Sequence, residues 1–190
     1  AKKTGIKNSE VMMIYNKKLS VVPLTTHIKI KNVSKSLKKV ILKNKIATIN
    51  KYYLRYFKKK PKIGILGLNP HNLEFKKNSE EIKIILPCIK ELKKKYNVTG
   101  PISADTVFIK NIRKNYDIIV GMYHDQVLVP FKALFEFDAI NITLGLPYIR
   151  VSPDHGIAND KKMLNISNPK SLNKCIEIVS SLVKWNLKNP

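Results

Sequence analysis

The chain has 190 residues, of which 44% are apolar, 36 basic and 13 acidic, for a formal net charge of +23; this suits one core or two small lobes and excludes a disordered chain. Such a charge raises a nucleic-acid partner, but the basic residues are lysines apart from Arg55, Arg113 and Arg150, they are spread through every segment, and no nucleic-acid-binding motif is present. Base reading leans on the bidentate fork of arginine, so the surplus reads as solvated lysine faces in a chain biased toward Lys, Asn and Ile, and no specific nucleic-acid partner is expected.

In chain order, residues 19–26 predict a strand and 34–57 one or two helices, with Val40, Ile41, Ile46 and Leu54 among the apolar positions and Ser34 or Ser36 as caps. A strand follows at 62–68, then a helix over 79–95 opened by Ser79-Glu80-Glu81, and a loop at Asn97-Val-Thr-Gly-Pro101. Residues 105–113 read as helical, 117–122 as a buried strand, 130–136 as a short helix and 139–144 as another strand. A last helix covers about 170–187, after the turn Asn168-Pro169. Strands separated by helices imply crossover connections, so the fold class is α/β with a mostly parallel sheet and flanking helices.

Cys88 and Cys175 stand far apart with no paired-cysteine motif, which suits a reducing, cytoplasmic location. No apolar run approaches the ~18–20 residues of a membrane helix, and no hydrophobic signal core follows the first residues. No membrane partner is expected. The chain starts at Ala1 rather than Met, which reads as a processed chain or a fragment.

Three of the four histidines follow directly on predicted strands: His27 ends Val21-Val-Pro-Leu-Thr-Thr-His27, His71 ends Ile63-Gly-Ile-Leu-Gly-Leu-Asn-Pro-His71, and His124 ends Ile118-Ile-Val-Gly-Met-Tyr-His124. In an open parallel sheet the carboxyl ends of the strands share one edge, and ligands bind there. Three imidazoles at that edge could hold one divalent metal and leave positions for substrate; the alternative is that each is a hydrogen-bonded loop residue. Asp125 follows His124 and Asp154 precedes His155, giving carboxylates able to orient an imidazole or accept a substrate hydroxyl or ammonium. Lys132 and Arg150 suit a phosphate or carboxylate, although Lys132 taken alone passes for one more surface lysine.

Taken in order, Leu24-Thr-Thr-His27, Gly67-Leu-Asn-Pro-His71, Gly100-Pro-Ile-Ser-Ala-Asp-Thr-Val-Phe108, Tyr123-His-Asp-Gln126 with Lys132, and Asn141-Ile-Thr-Leu-Gly-Leu-Pro-Tyr-Ile-Arg150 followed by Asp154-His-Gly156 resemble the 4-hydroxythreonine-4-phosphate dehydrogenases of pyridoxal phosphate biosynthesis. The likeness spans roughly residues 11–160. It implies NAD- or NADP-dependent oxidation of 4-phosphohydroxy-L-threonine, with decarboxylation to 3-amino-2-oxopropyl phosphate. It further implies one divalent metal (Zn, Mg or Co) held by His27, His71 and His124, drawn from both subunits of a homodimer whose active site lies at the interface. By the same resemblance Lys132, Asn141 and Arg150 bind substrate; Asp105 and Asp125 are the candidate catalytic carboxylates, suited to holding the substrate ammonium or relaying a proton. Helix capping, or orientation of His124, is the alternative for those two acids.

The implied fold is two-lobed, akin to the isocitrate and isopropylmalate dehydrogenases, and lacks the glycine-rich dinucleotide fingerprint. This chain lacks it too, and its cofactor-binding residues are unassigned. On that frame residues 1–160 form the metal- and substrate-binding lobe, the N-terminal lobe is missing, and residues 161–190 are a helical segment whose apolar face (Ile176, Val179, Leu182, Trp185) would pack on it and is expected to be exposed. Where the family is glycine-rich after the Asn-Pro-His string, this chain carries Asn72-Leu-Glu-Phe-Lys-Lys-Asn78. A catalytically inactive remnant, or a sister dehydrogenase acting on a phosphorylated sugar acid, are the other readings.

Overall fold

The short apolar runs become strands because both faces of the sheet they form are covered. In the computed structural model, which describes residues 10–154 and 169–188, the strands are β1 (Val11–Tyr15), β2 (Ser20–Pro23), β3 (Ile63–Leu66), β4 (Val98–Ile102), β5 (Ile118–Gly121), β6 (Ile140–Leu144) and β7 (Arg150–Pro153). They form one sheet in the order β4-β3-β5-β2-β1-β6-β7. β4, β3, β5 and β2 pair in parallel. β1 is antiparallel to both of its neighbours, β2 and β6, and β7 is antiparallel to β6. The expected parallel sheet is therefore the half from β4 to β2, and the reversed strands β1 and β7 make the whole sheet mixed.

The helices are α1 (Val33–Ser36), α2 (Lys39–Phe57), α3 (Leu86–Leu92), α4 (Lys110–Arg113), α5 (His124–Phe135) and α6 (Lys170–Lys188). Successive strand residues enter opposite cores, as the pleat requires. Ile118 and Val120 join the cluster containing Leu42, Ile46 and Ile49 of α2 and Cys88 and Ile89 of α3, whereas Ile119 joins Val127, Leu128 and Phe131 of α5. Val22 and Val21 divide in the same way. α2 turns Leu42, Ile46, Ile49 and Tyr53 inward, the spacing of an amphipathic helix. It stops at Lys58, which is left-handed (φ 56°) and donates its N–H to Leu54 O.

Several elements depart from expectation. The predicted loop at 97–101 is β4, an edge strand, where Pro101 interrupts no central ladder. Gly100 lies so close to β3 that a Cβ would stand 2.3 Å from Ile65 O. The helix expected over 105–113 contracts to α4, and the short helix expected at 130–136 starts at His124, directly after extended Tyr123 (φ −143°, ψ 166°). Neither serine caps a helix: Ser34 Oγ donates to Glu80, Ser36 Oγ donates to Asn32 O, and α2 begins without a side-chain cap. α6 packs on β7 and β6, which buries Cys175 and Leu182 while Leu172, Ile176 and Val183 stay exposed. The apolar face expected to be open is thus divided, and the side chain of Trp185 lies outside the described residues.

Candidate active site at the carboxyl edge of the sheet

β3, β5 and β2 are neighbours, so the segments leaving them, Gly67–His71, Met122–His124 and Leu24–His27, emerge side by side. Backbone pairing continues past the strands: the Leu24 N–H donates to Gly121 O (2.7 Å) and the Thr25 N–H to Met122 O (3.1 Å), with Thr25 Oγ1 donating to the same carbonyl (2.7 Å). Gln126 closes the other side. Its Oε1 accepts the Met122 N–H (2.6 Å) and its Nε2 donates to Gly67 O (2.8 Å), tying the end of β5 to the end of β3. The outcome is an imidazole pair, His27 and His124, with ring centroids 5.5 Å apart and planes tilted by 44°. His124 Nδ1 lies 2.6 Å from Asp125 Oδ1; a carboxylate there accepts the Nδ1–H and leaves Nε2 free to ligate or to accept a proton.

His71 stands apart from this pair, exposed, with Nδ1 3.8 Å from Asp105 Oδ2. Its loop is anchored by Glu81, which has no exposed surface. Glu81 Oε1 accepts the N–H groups of Leu68 and Asn69 (2.8 Å each), and Oε2 accepts Asn69 Nδ2 (3.0 Å). Burial pushes this carboxyl up, and the donors from Asn69 and Leu68 outweigh it, holding it below the usual carboxylate range. Gly67 is a glycine because a Cβ would meet Asn72 Oδ1 at 2.0 Å. The loop then runs left-handed through His71, Asn72, Leu73, Glu74 and Phe75, each with φ between 46° and 57°. Bulky residues thus occupy a conformation that L-amino acids resist.

On the other flank a groove of about 470 Å³ is lined by His27, Asn141 and Arg150, together with Glu10, Lys45 and Thr143. Arg150 Nη1 donates to Thr143 Oγ1 (2.8 Å), which holds the guanidinium along β6. Half-buried Lys45, on the inner side of α2, donates to Leu24 O (2.9 Å); burial lowers its pKa and the negative charge of Glu10 opposes that shift. The acceptors Glu10 Oε2 and Asn141 Oδ1 are buried with no hydrogen-bond partner among the described residues. Cations on the wall and orphaned acceptors between them suit a ligand that carries both an anion and hydrogen-bond donors.

The structure therefore brings His27, Asn141 and Arg150 to one groove, with His124 against His27 and Asp125 on His124. His71 pairs with Asp105 instead. Lys132 is not part of the groove lining; its Nζ is 2.8 Å from Asp154 Oδ2 and donates to Asp154 O (2.6 Å). Asp154 thus partners a lysine, while His155 lies outside the described residues. Among the described residues no three of the His, Cys, Asp and Glu side chains are close enough to hold one metal ion. Sequence reasoning missed Glu10, Lys45, Glu81 and Gln126. For Gln126 a signal existed in the Tyr123-His-Asp-Gln126 string, whereas Glu81 reads as a helix-opening acid and Lys45 as one lysine among many.

An α/β protein with its polar side chains gathered where such folds bind small ligands is the class that these features define. The chain belongs to the family described as pyridoxal phosphate biosynthetic protein PdxA, whose model matches residues 1–179. It is 42% identical over 185 residues to the 4-hydroxythreonine-4-phosphate dehydrogenase of Aquifex aeolicus, a match covering 96% of this chain and 57% of that protein. It is 36% identical to the D-threonate 4-phosphate dehydrogenase of Pectobacterium atrosepticum, covering 90% and 53%. The crystal structure of 4-hydroxythreonine-4-phosphate dehydrogenase from Klebsiella pneumoniae superposes with a TM-score of 0.77 at 36% identity, covering 91% of this chain and 53% of that one. The chain spans about half the length of the curated relatives it matches. No helix among the described residues is long and apolar enough to cross a membrane.

Proposed function

We propose that this chain carries the metal- and substrate-binding half of a 4-hydroxythreonine-4-phosphate dehydrogenase, a cytoplasmic enzyme that oxidises 4-phosphohydroxy-L-threonine with NAD or NADP and decarboxylates it to 3-amino-2-oxopropyl phosphate in pyridoxine 5'-phosphate biosynthesis. The carrying observation is the convergence of His27, Asn141 and Arg150 on one groove at the carboxyl edge, with the His124 ring 5.5 Å from that of His27. The other lobe of an isocitrate dehydrogenase-like fold would come from a segment matching the remaining length of the relatives, with residues 161–190 packing on it.

The donor set fits a divalent metal in part. His27 and His124 of one protomer offer two imidazoles, and in a homodimer with a shared site His71, on its own loop, would serve a second copy. A Zn, Mg or Co ion there supplies Lewis acidity toward the substrate's hydroxyl oxygen. The chain's own groups do the rest. Arg150 binds an anionic end, Asn141 offers an acceptor to the hydroxyl or ammonium, and together they fix the substrate's orientation. Asp125 holds His124 in one tautomer, and Asp105 stands beside His71 to hold the ammonium or relay a proton. Lys132 reaches substrate by exchanging its pairing with Asp154. The cofactor's residues are left unassigned, since the chain has no dinucleotide fingerprint.

The test is reduction of NAD or NADP by 4-phosphohydroxy-L-threonine, with and without the matching N-terminal segment of a relative added as a separate chain. Turnover supports the dehydrogenase. Bound metal with no turnover under either condition makes the chain a non-catalytic remnant. The likeness to a D-threonate 4-phosphate dehydrogenase favours one second reading, a phosphorylated sugar acid as substrate, which faster turnover of 4-phospho-D-threonate would establish.

A further inference from the structure

Among the described residues, two acceptors in the groove, Glu10 Oε2 and Asn141 Oδ1, have no hydrogen-bond partner, and two cations, Lys45 and Arg150, share its walls. Glu10 precedes the first residue of β1, and Asn141 lies on β6, the strand paired with β1. Both therefore border the groove from the sheet side. Lys45 reaches in from α2, held by Leu24 O, and Arg150 comes from β7, held by Thr143. The electrostatic attraction between Glu10 and Lys45 makes them partners in the open groove. A ligand bearing both signs of charge replaces that single attraction with two, one at each end.

We propose that Glu10 and Lys45 read the two ends of a zwitterionic phosphorylated acid in this groove, the Glu10 carboxylate accepting from its ammonium group and Lys45, with Arg150, binding an anionic oxygen. The inference rests on the dehydrogenase reading above and adds the choice between an amino acid and a hydroxy acid. A hydroxyl also donates to Glu10, but an ammonium forms the charge-assisted bond, which is the stronger of the two. The chain should therefore favour 4-phosphohydroxy-L-threonine over its counterpart with a hydroxyl in place of the amino group.

Calorimetric titration of the chain with 4-phosphohydroxy-L-threonine and with 4-phospho-D-threonate tests this, on wild type, Glu10→Gln and Lys45→Met, each checked for folding by thermal melting. The wild-type chain should bind the amino ligand about tenfold more tightly. Glu10→Gln should lose that preference by weakening the amino ligand alone, and Lys45→Met should weaken both ligands about equally. Should Lys45→Met fail to fold, Lys45→Gln titrated with inorganic phosphate gives the same readout, a loss of affinity for the bare anion. Binding of both ligands with equal affinity, unchanged in Glu10→Gln, overturns this inference alone. Binding of neither ligand to wild type overturns the dehydrogenase reading with it.

Discussion

Glu81 is a carboxylate with no exposed surface, tolerable because the N–H groups of Leu68 and Asn69 and the Asn69 amide converge on it. Its pKa in the fold lies below the ordinary value of 4.5. The stability it contributes is therefore complete above that value and is lost as the pH falls through the lowered one, where the unfolded chain binds the proton more readily. Glu81→Gln should cost about 1–3 kcal/mol at neutral pH and make the acid loss of stability shallower than in wild type. Glu80, Glu91 and Asp138 are also held low by their partners, so the loss is reduced rather than abolished. Urea unfolding at a series of pH values checks it, and parallel curves for the two proteins would refute the assignment. His27 and His124 were legible in the sequence because each ends an apolar run that carries it to the carboxyl edge of the sheet, Arg150 because arginine is rare in this chain, and Asn141 only through the family resemblance. Glu81 and Gln126 were not, because their roles are closures between segments far apart in sequence, and no local pattern encodes the partner.

The same limit explains the elements. β2, β3 and β5 were readable as apolar runs because they are buried on both faces, and β6 because its buried Ile140, Ile142 and Leu144 alternate with half-buried residues. β4 contains Gly100 and Pro101, turn residues by local preference, and is a strand only because β3 offers a parallel partner. The half-exposed β7 likewise takes its register from β6. At the His71 loop the conflict between sequence and conformation is energetic. Five successive non-glycine residues hold positive φ, and Leu73 and Phe75 are exposed, so little packing is lost by replacing them. Leu73→Gly and Phe75→Gly should each stabilise the fold by roughly 0.5–1 kcal/mol, the relief of left-handed strain less the backbone entropy glycine adds to the unfolded chain. Thermal melts of the two variants measure this; a loss of stability in both would show that the left-handed turn is not the conformation in solution.

For the whole molecule, the +23 charge named no partner, and the arginine at 150 said more than the lysines together. What one chain does not assemble is also informative: His71 is separated from the His27–His124 pair. If a second copy supplies it, chains carrying His71→Ala and chains carrying His27→Ala, each inactive alone, should regain roughly a quarter of wild-type activity when unfolded together and refolded with the complementary lobe present. Random pairing makes half of the dimers mixed, and each mixed dimer has one intact site. Failure to regain activity would put His27 and His71 of one site in the same chain.

β1 has one further consequence. It is the single strand between β2, which leads into His27, and β6, which bears Asn141 and Thr143. The strands that flank the base of the groove, β2 and β6, are thus two strand spacings apart, about 10 Å, and backbone hydrogen bonds maintain that gauge. Substitutions along the walls change what is offered to a ligand while the span stays constant. A change of substrate in this groove is then a change of lining at fixed width, with the five residues Val11–Tyr15 acting as its ruler.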